Sequence, residues 1–350
     1  GVLCRAEAMD CDREFFVPTL SFDHFICFDR MQVLINLENF CGFKITNFKS
    51  YLEACEKYIL AQLDTDAVAV KLGLAYRRSL LFNQVPYIVA EQEFISSLKR
   101  DYSIDKGMRT MQFSKEFEDY MLHFILEILN RKGTVLQIHT GLHEGNGNMI
   151  SNSNPELLNN LFLLYDNIKF DIFHIGYPYE HILSALAKNF PNVYIDMCWA
   201  HAISPIACIN SLSEWLEAVP YTKILAFGGD YIFVDGVYGH QELARRNVSK
   251  VLATKIQEGL FGFDEAEIIA KAITHKVTVA GIVGLLAVII GWILEFYSQG
   301  VGFSVSGIVA IHTANPTLWI INLLPFIFTY FTYINVKKHQ EKVSFLEEEI

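Results

Sequence analysis

From Val277 to Val336 the chain carries one formal charge, Glu295, although its 350 residues include 28 Lys and Arg and 39 Asp and Glu. A run this apolar has no polar face to turn toward water, so it cannot share an ordinary solvent-facing domain with the rest. Val277–Leu294 runs eighteen residues without a charge, long enough with its flanks to cross roughly 30 Å of hydrocarbon as a helix. Leu318–Ile334 forms a second candidate span, with Asn322 and Pro325 inside it; proline is tolerated in membrane helices. Trp292, Tyr297, Trp319, Tyr330 and Tyr333 sit toward the span ends, where amphipathic rings favour the interface. The connector Ser298–Thr317 has no Lys or Arg, whereas Lys271, Lys276, Lys337 and Lys338 flank the pair. By the positive-inside rule both flanks are expected in the cytoplasm and the connector outside. The alternative, two buried helices of a water-soluble protein, needs a partner that covers apolar surface on every side. The sequence therefore predicts a cytoplasmic domain over 1–275, a two-helix hairpin in the lipid bilayer over 276–336, and a charged helical tail over 337–350. Val336, Val343 and Leu346 give that tail the start of a coiled-coil pattern, a route to oligomers.

The net charge of −11 excludes a nucleic-acid partner, which would need a basic surface. Seven cysteines are scattered with no Cys-x-x-Cys pair, which reads as reduced, buried thiols. The chain opens on Gly1 with no charged n-region and apolar h-region after it, so no secretory signal is expected there.

Over the first 273 residues, short runs rich in β-branched and aromatic residues alternate with amphipathic stretches. Candidate strands are Phe15–Leu20, Asp66–Leu72, Thr134–His139, Phe170–Ile175, Asn192–Asp196 and Lys223–Phe227. Candidate helices are Phe48–Gln62, Ser114–Arg131, Pro155–Tyr165, Tyr179–Asn189, Pro205–Ala218, Gln241–Glu258 and Asp264–Ile273. Alternation of this kind predicts an α/β fold of about six βα units around a parallel sheet, with no strong hairpin signal. An incomplete (β/α)8 barrel and an open doubly wound sheet both accommodate it. No Gly-x-Gly-x-x-Gly follows a strand, which weakens a nucleotide-binding reading.

Ionisable residues fall where the strands end: Lys71 in DAVAVKL, His139 in TVLQIH, His174 in FDIFHI, and Asp230 after KILAFGG. In a barrel this end is the catalytic face, where residues from different strands converge. Two imidazoles and a carboxylate suit Zn²⁺, which lowers the pKa of a bound water to about 7. Beside a metal, Asp230 can instead serve as general base. Each residue also has a plain structural role: a half-buried histidine, a turn-capping aspartate, a lysine snorkelling from the rim.

The segments VAVKLGLAYRRSL, LQIHTG, FHIGYPY, NVYIDMCW and ILAFGGD, taken together, resemble the amidohydrolase superfamily, metal-dependent hydrolases on a distorted (β/α)8 barrel. The branch in question contains decarboxylases and is distantly related to uronate isomerases. The resemblance implies that His139 and His174 end the fifth and sixth strands as metal ligands, that Asp230 ends the eighth as ligand or base, and that Lys71 is the fourth-strand lysine that bridges two metals when carboxylated. It also implies transition-state contact for His174. His201, beyond the seventh strand, falls where substrate-contacting loops sit, though loop packing serves it equally. Arg77 and Arg78 are able to hold a substrate carboxylate bidentately or to face solvent. The family's first strand ends in His-x-His, which this sequence lacks; His24 stands alone in FDHF. The first two βα units are thus expected to be missing and metal affinity to be low, with His143, His24 and Glu144 as replacement ligands to test. The stretch AIHTANPTLWIINLLPFIFTYFTY resembles the membrane hairpin of bacterial sensor kinases and cyclases. The expectation is a membrane-tethered, metal-dependent hydrolase-like domain that acts on a C–N, C–O or C–C bond of a small polar or carboxylate substrate. The alternatives are a catalytically dead barrel used as a binding or sensory module, and a chimeric gene product.

Overall fold

The computed structural model of the chain describes residues 17–28, 31–99, 104–105, 108–109, 113–231 and 234–274. The chain divides into two units, Gly1–Thr274 and His275–Ile350, and the architecture below is that of the first. The expected hairpin and tail lie outside the described residues. Among the described residues no helix is long and apolar enough to cross a membrane.

Six strands form one sheet: β1 (Thr19–Leu20), β2 (Ala69–Leu72), β5 (Val135–Ile138), β6 (Lys169–Ile172), β7 (Val193–Asp196) and β8 (Ile224–Leu225). They lie side by side in that order, every pair parallel. Between β2 and β5, β3 (Ile104–Asp105) and β4 (Met108–Arg109) make a separate antiparallel pair, for which the expectation of no hairpin left no room. The helices are α1 (Asp23–Ile26), α2 (Gln32–Cys41), α3 (Phe48–Leu63), α4 (Tyr87–Lys99), α5 (Lys115–Lys132), α6 (Asn159–Leu164), α7 (Glu180–Asn189), α8 (Ala200–Ile203), α9 (Pro205–Ala218), α10 (Val234–Gln257) and α11 (263–274). Strand order that follows chain order, with a helix in nearly every crossover, is the layout of a partial (β/α)8 barrel.

Local chemistry sets the helix ends. Asn47 and Ser50 exchange hydrogen bonds in a capping box that starts α3. Ser114 caps α5, Glu116 and Glu118 lie in its first turn, and Arg131 and Lys132 in its last, so charge follows the helix dipole at both ends. Ser204 followed by Pro205 starts α9. The helices bury Trp215, Tyr51, Tyr58, Phe48, Phe94 and Phe117 completely against one another and the sheet. Asp119, 1% exposed, receives Arg78, Lys115 and the Asn83 amide and so ties the chain after β2 to α5. Cys27, Cys41, Cys55, Cys198 and Cys208 are all free and buried.

Register matters for the site. Lys71 pairs with Gln137, Gln137 with Asp171, and Asp171 with Tyr194, so one face of the sheet carries a polar row. Gln137 Nε2 donates to Asp171 Oδ2 across it at 3.1 Å. Side chains alternate along a strand, so two residues further on this face comes to His139, Phe173 and Asp196 at the carboxyl ends.

Candidate metal site at the carboxyl ends of the strands

His139 follows β5 directly and needs no special backbone. His174 does: strict alternation would send it to the face opposite Phe173. The chain departs from alternation there, with φ of 67° at His174 and 52° at Ile175. Trp199 (58°) after β7 and Asp230 (54°) after β8 are left-handed too. For non-glycine residues this conformation costs about 1–3 kcal/mol each and persists where surrounding contacts over-determine it. Here three successive strand ends hold it.

The two imidazoles meet, with His174 Nε2 2.9 Å from His139 Nδ1. Their outer nitrogens face backbone carbonyls, His174 Nδ1 at 2.8 Å from Cys198 O and His139 Nε2 at 3.2 Å from Leu142 O. A carbonyl only accepts, so each outer nitrogen that bonds there must carry the proton. In the neutral pair both inner nitrogens then present lone pairs to each other. Burial, with the Lys71 charge adding to it, pushes His139 down to about 2 and His174 down to about 4, away from the imidazolium that would relieve the conflict. A metal cation between two such lone pairs does relieve it, and carbonyl-anchored outer N–H groups are the usual support for histidine ligands. The donor set therefore fits a divalent metal.

Asp230 Oδ2 lies 3.7 Å from His174 Nε2, with a half-exposed side chain. Ligand atoms of His174, Asp230 and Cys198 lie within 4.8 Å of one another. Lys71 Nζ stands 3.3 Å from the centroid of the Phe173 ring and has no hydrogen-bond partner. It sits there as a cation on an aromatic face, and burial pulls its pKa down. The Tyr76 ring packs on His139 and His143, with centroids at 4.5 and 4.6 Å. His143 is buried beside them with Nε2 unpartnered, and Glu144 is exposed.

Arg77 is exposed and anchored through Nη1 to Cys27 O at 3.0 Å. Arg78 instead pairs with Glu118 and Asp119 and serves packing. His201 has no exposed surface; Nε2 donates to Ala226 O at 2.9 Å and Nδ1 accepts from Asn247 at 3.1 Å. With both nitrogens engaged and no exposed surface, it packs the loop after β8.

Two residues at this end escaped the sequence reading. Cys198, two residues past the end of β7, counted only as a buried thiol. Asp23, just past β1, accepts from the Gly73 amide at 2.8 Å through Oδ2, while Oδ1 is buried without a partner. Burial raises its pKa to about 6 against the pull of the Gly73 amide, Arg77 and Lys71. The signal was available, because Asp23 adjoins His24 immediately after a strand.

His240 on α10, 2% exposed, has neither ring nitrogen partnered, and burial aided by His201 lowers its pKa from 6.5 to about 4. The native state thus binds fewer protons than the unfolded chain below pH 6.5. Its contribution is fully present above that pH and is lost as pH falls toward about 4. Asp23 has the opposite sign, favouring the native state below 3.8 and losing that as pH rises through about 6. Comparison with His240→Phe isolates the histidine: the fall in urea midpoint between pH 6.5 and 4 should be shallower in the variant. An unchanged slope would refute the assignment.

Residues 105–263 match the family described as amidohydrolase. Protein fluG of Emericella nidulans is 29% identical over 158 residues, 43% of this chain but 18% of that protein. A structure described as a metal-dependent hydrolase from Lactobacillus casei is 23% identical with a TM-score of 0.54, covering 69% of this chain and 66% of its own. A uronate isomerase from Thermotoga maritima is 18% identical with a TM-score of 0.60, covering 74% of this chain and 59% of its own. The solved structures share a fold with the first unit. The match to the amidohydrolase family is confined to residues 105–263, and the aligned region spans less than a fifth of the curated relative's length.

Proposed function

We propose that the described domain is a metal-dependent hydrolase of the amidohydrolase type, with His139, His174 and Asp230 as ligands. The observation that carries this is the buried imidazole pair, whose inner nitrogens meet at 2.9 Å while each outer nitrogen faces a backbone carbonyl. A divalent ion, Zn²⁺ by the nitrogen and oxygen donors, supplies Lewis acidity toward a water or a carbonyl oxygen.

The chain's own residues do the rest. His139 and His174 remain neutral and keep fixed tautomers, because burial opposes their charging. The half-exposed Asp230 carboxylate, 3.7 Å from His174, is placed to bind the ion or to take a proton from an incoming water. Lys71, held on Phe173, brings positive charge near the site without a hydrogen-bond partner of its own, which favours an anionic substrate group. The exposed Arg77 guanidinium offers that group a bidentate partner. These features suit a small carboxylate-bearing substrate with a scissile C–N, C–O or C–C bond.

The test uses the purified full chain in detergent, stripped with chelator and reloaded. The expected result is retention of a divalent ion and ion-dependent turnover across a panel of amides, lactones and β-keto or aryl carboxylates. A chain that neither retains an ion nor responds to chelation would point instead to a binding module.

A further inference from the structure

We propose that Cys198 is a thiolate ligand of this metal site, which gives it a nitrogen, oxygen and sulfur donor set and a preference for thiophilic ions. The inference rests on the metal-dependent reading and adds to it a ligand and a metal class.

Three observations place the thiol there. Its ligand atom shares a 4.8 Å cluster with those of His174 and Asp230, and the residue is 4% exposed. The backbone of Cys198 is held on both sides: its amide donates to Asp196 Oδ1 at 2.7 Å, and its carbonyl accepts from His174 Nδ1 at 2.8 Å. One residue therefore fixes the orientation of a histidine ligand and offers its own side chain to the same centre. The third observation is Gly228, which packs directly against this cysteine. A Cβ built on it would lie 2.8 Å from both Cβ and Sγ of Cys198, so the thiol is confined from the β8 side.

Chemistry supplies the reason. His174 and Asp230 leave a tetrahedral ion short of ligands, and Sγ is the donor that shares their cluster. A thiolate in the set favours Zn²⁺, Co²⁺ and Cd²⁺ over Mn²⁺ and Mg²⁺. Burial keeps the metal-free group a thiol by raising its pKa well above 9. Binding then forms the metal–sulfur bond and releases the thiol proton to solvent, one per ion.

The experiment titrates the metal-free full chain with Co²⁺ and follows absorption. The expected spectrum has visible ligand-field bands together with a near-ultraviolet sulfur-to-cobalt charge-transfer band. Cys198→Ser should keep the visible bands, lose the charge-transfer band, and bind Cd²⁺ at least tenfold more weakly while Mn²⁺ affinity is unchanged. Should that variant not fold, cadmium NMR of the unaltered chain reads a sulfur ligand directly from the chemical shift. Visible bands without charge transfer, or a cadmium shift typical of nitrogen and oxygen alone, would overturn the thiolate and leave the metal-dependent reading standing. No cobalt bands at all would overturn both.

Discussion

Replacing His174 by alanine is expected to lower divalent-metal affinity by at least about 100-fold and to take ion-dependent turnover to background. Changes to groups that merely support metal ligands cost about 10–100-fold, and His174 occupies the middle of the arrangement. Its Nε2 faces both His139 and Asp230, its Nδ1 anchors on Cys198 O, and the side chain has no exposed surface. Removing it also leaves His139 without the partner that opposes its lone pair, so the remaining imidazole is free to bond water. His181→Ala is the control. That side chain is 85% exposed on α7 and pairs with Glu214 of α9, so neither metal content nor turnover should move. A His174→Ala chain that keeps its ion after dialysis would remove His174 from the ligand set.

Gly141→Ala should destabilise the domain by about 3 kcal/mol or more, within the range reached when a substitution meets both strain and overlap. Gly141 has φ of 70°, and a Cβ there would lie 2.4 Å from Tyr177 O and 2.5 Å from Gly176 C. Both are backbone atoms that cannot rotate aside. The contact is so close because the segments after β5 and β6 are stitched together where Leu142 N donates to Tyr177 O at 2.8 Å, while Gly141 N donates to Ser153 O at 2.9 Å within the β5–β6 connection. Gly145→Ala separates the two costs. It has φ of 91° but nothing within 4 Å of the added carbon, so only the conformational part, about 1–2 kcal/mol, should appear. Urea unfolding measures both through the midpoint at constant slope. Equal losses would show that the overlap relaxes and the stitch is soft.

The strands were legible because each is a short β-branched or aromatic run, and all six appear in the sheet within a few residues of their expected bounds. Capped helices were legible as well. α2 was not, because Met31 at its start gives it no side-chain cap to mark where the helix begins. α4 was obscured by exposed Tyr87, Ile88 and Ile95, which blur the amphipathic period. In the candidate site, His139, His174 and Asp230 stood out as ionisable residues at strand ends, and His139 and Asp230 each lie against His174. Their detailed aim did not, since it depends on left-handed backbone at His174 and Asp230, residue types that give no warning of it. Cys198 was hidden by the ordinary behaviour of cysteine, and His201 stayed open between substrate contact and loop packing because a position past a strand does not say which side of the loop the ring takes. The apolar segment beyond Val277, the clearest feature of the sequence, lies outside the described residues.

The five buried thiols make the domain its own recorder of breathing motions. Cys27, Cys41 and Cys55 lie in the segments around α1, α2 and α3, and Cys198 and Cys208 lie past β7 and in α9. A membrane-impermeant alkylating reagent can modify each one only when its surroundings open, so the order in which they are modified ranks the local free energies of opening. A chain that opens from its first strand would be marked at the early cysteines while the late pair stays unmodified, and the reverse order would place the weakest seam at β7 and β8. The sequence thereby carries reporters in both halves of the sheet without any engineered label.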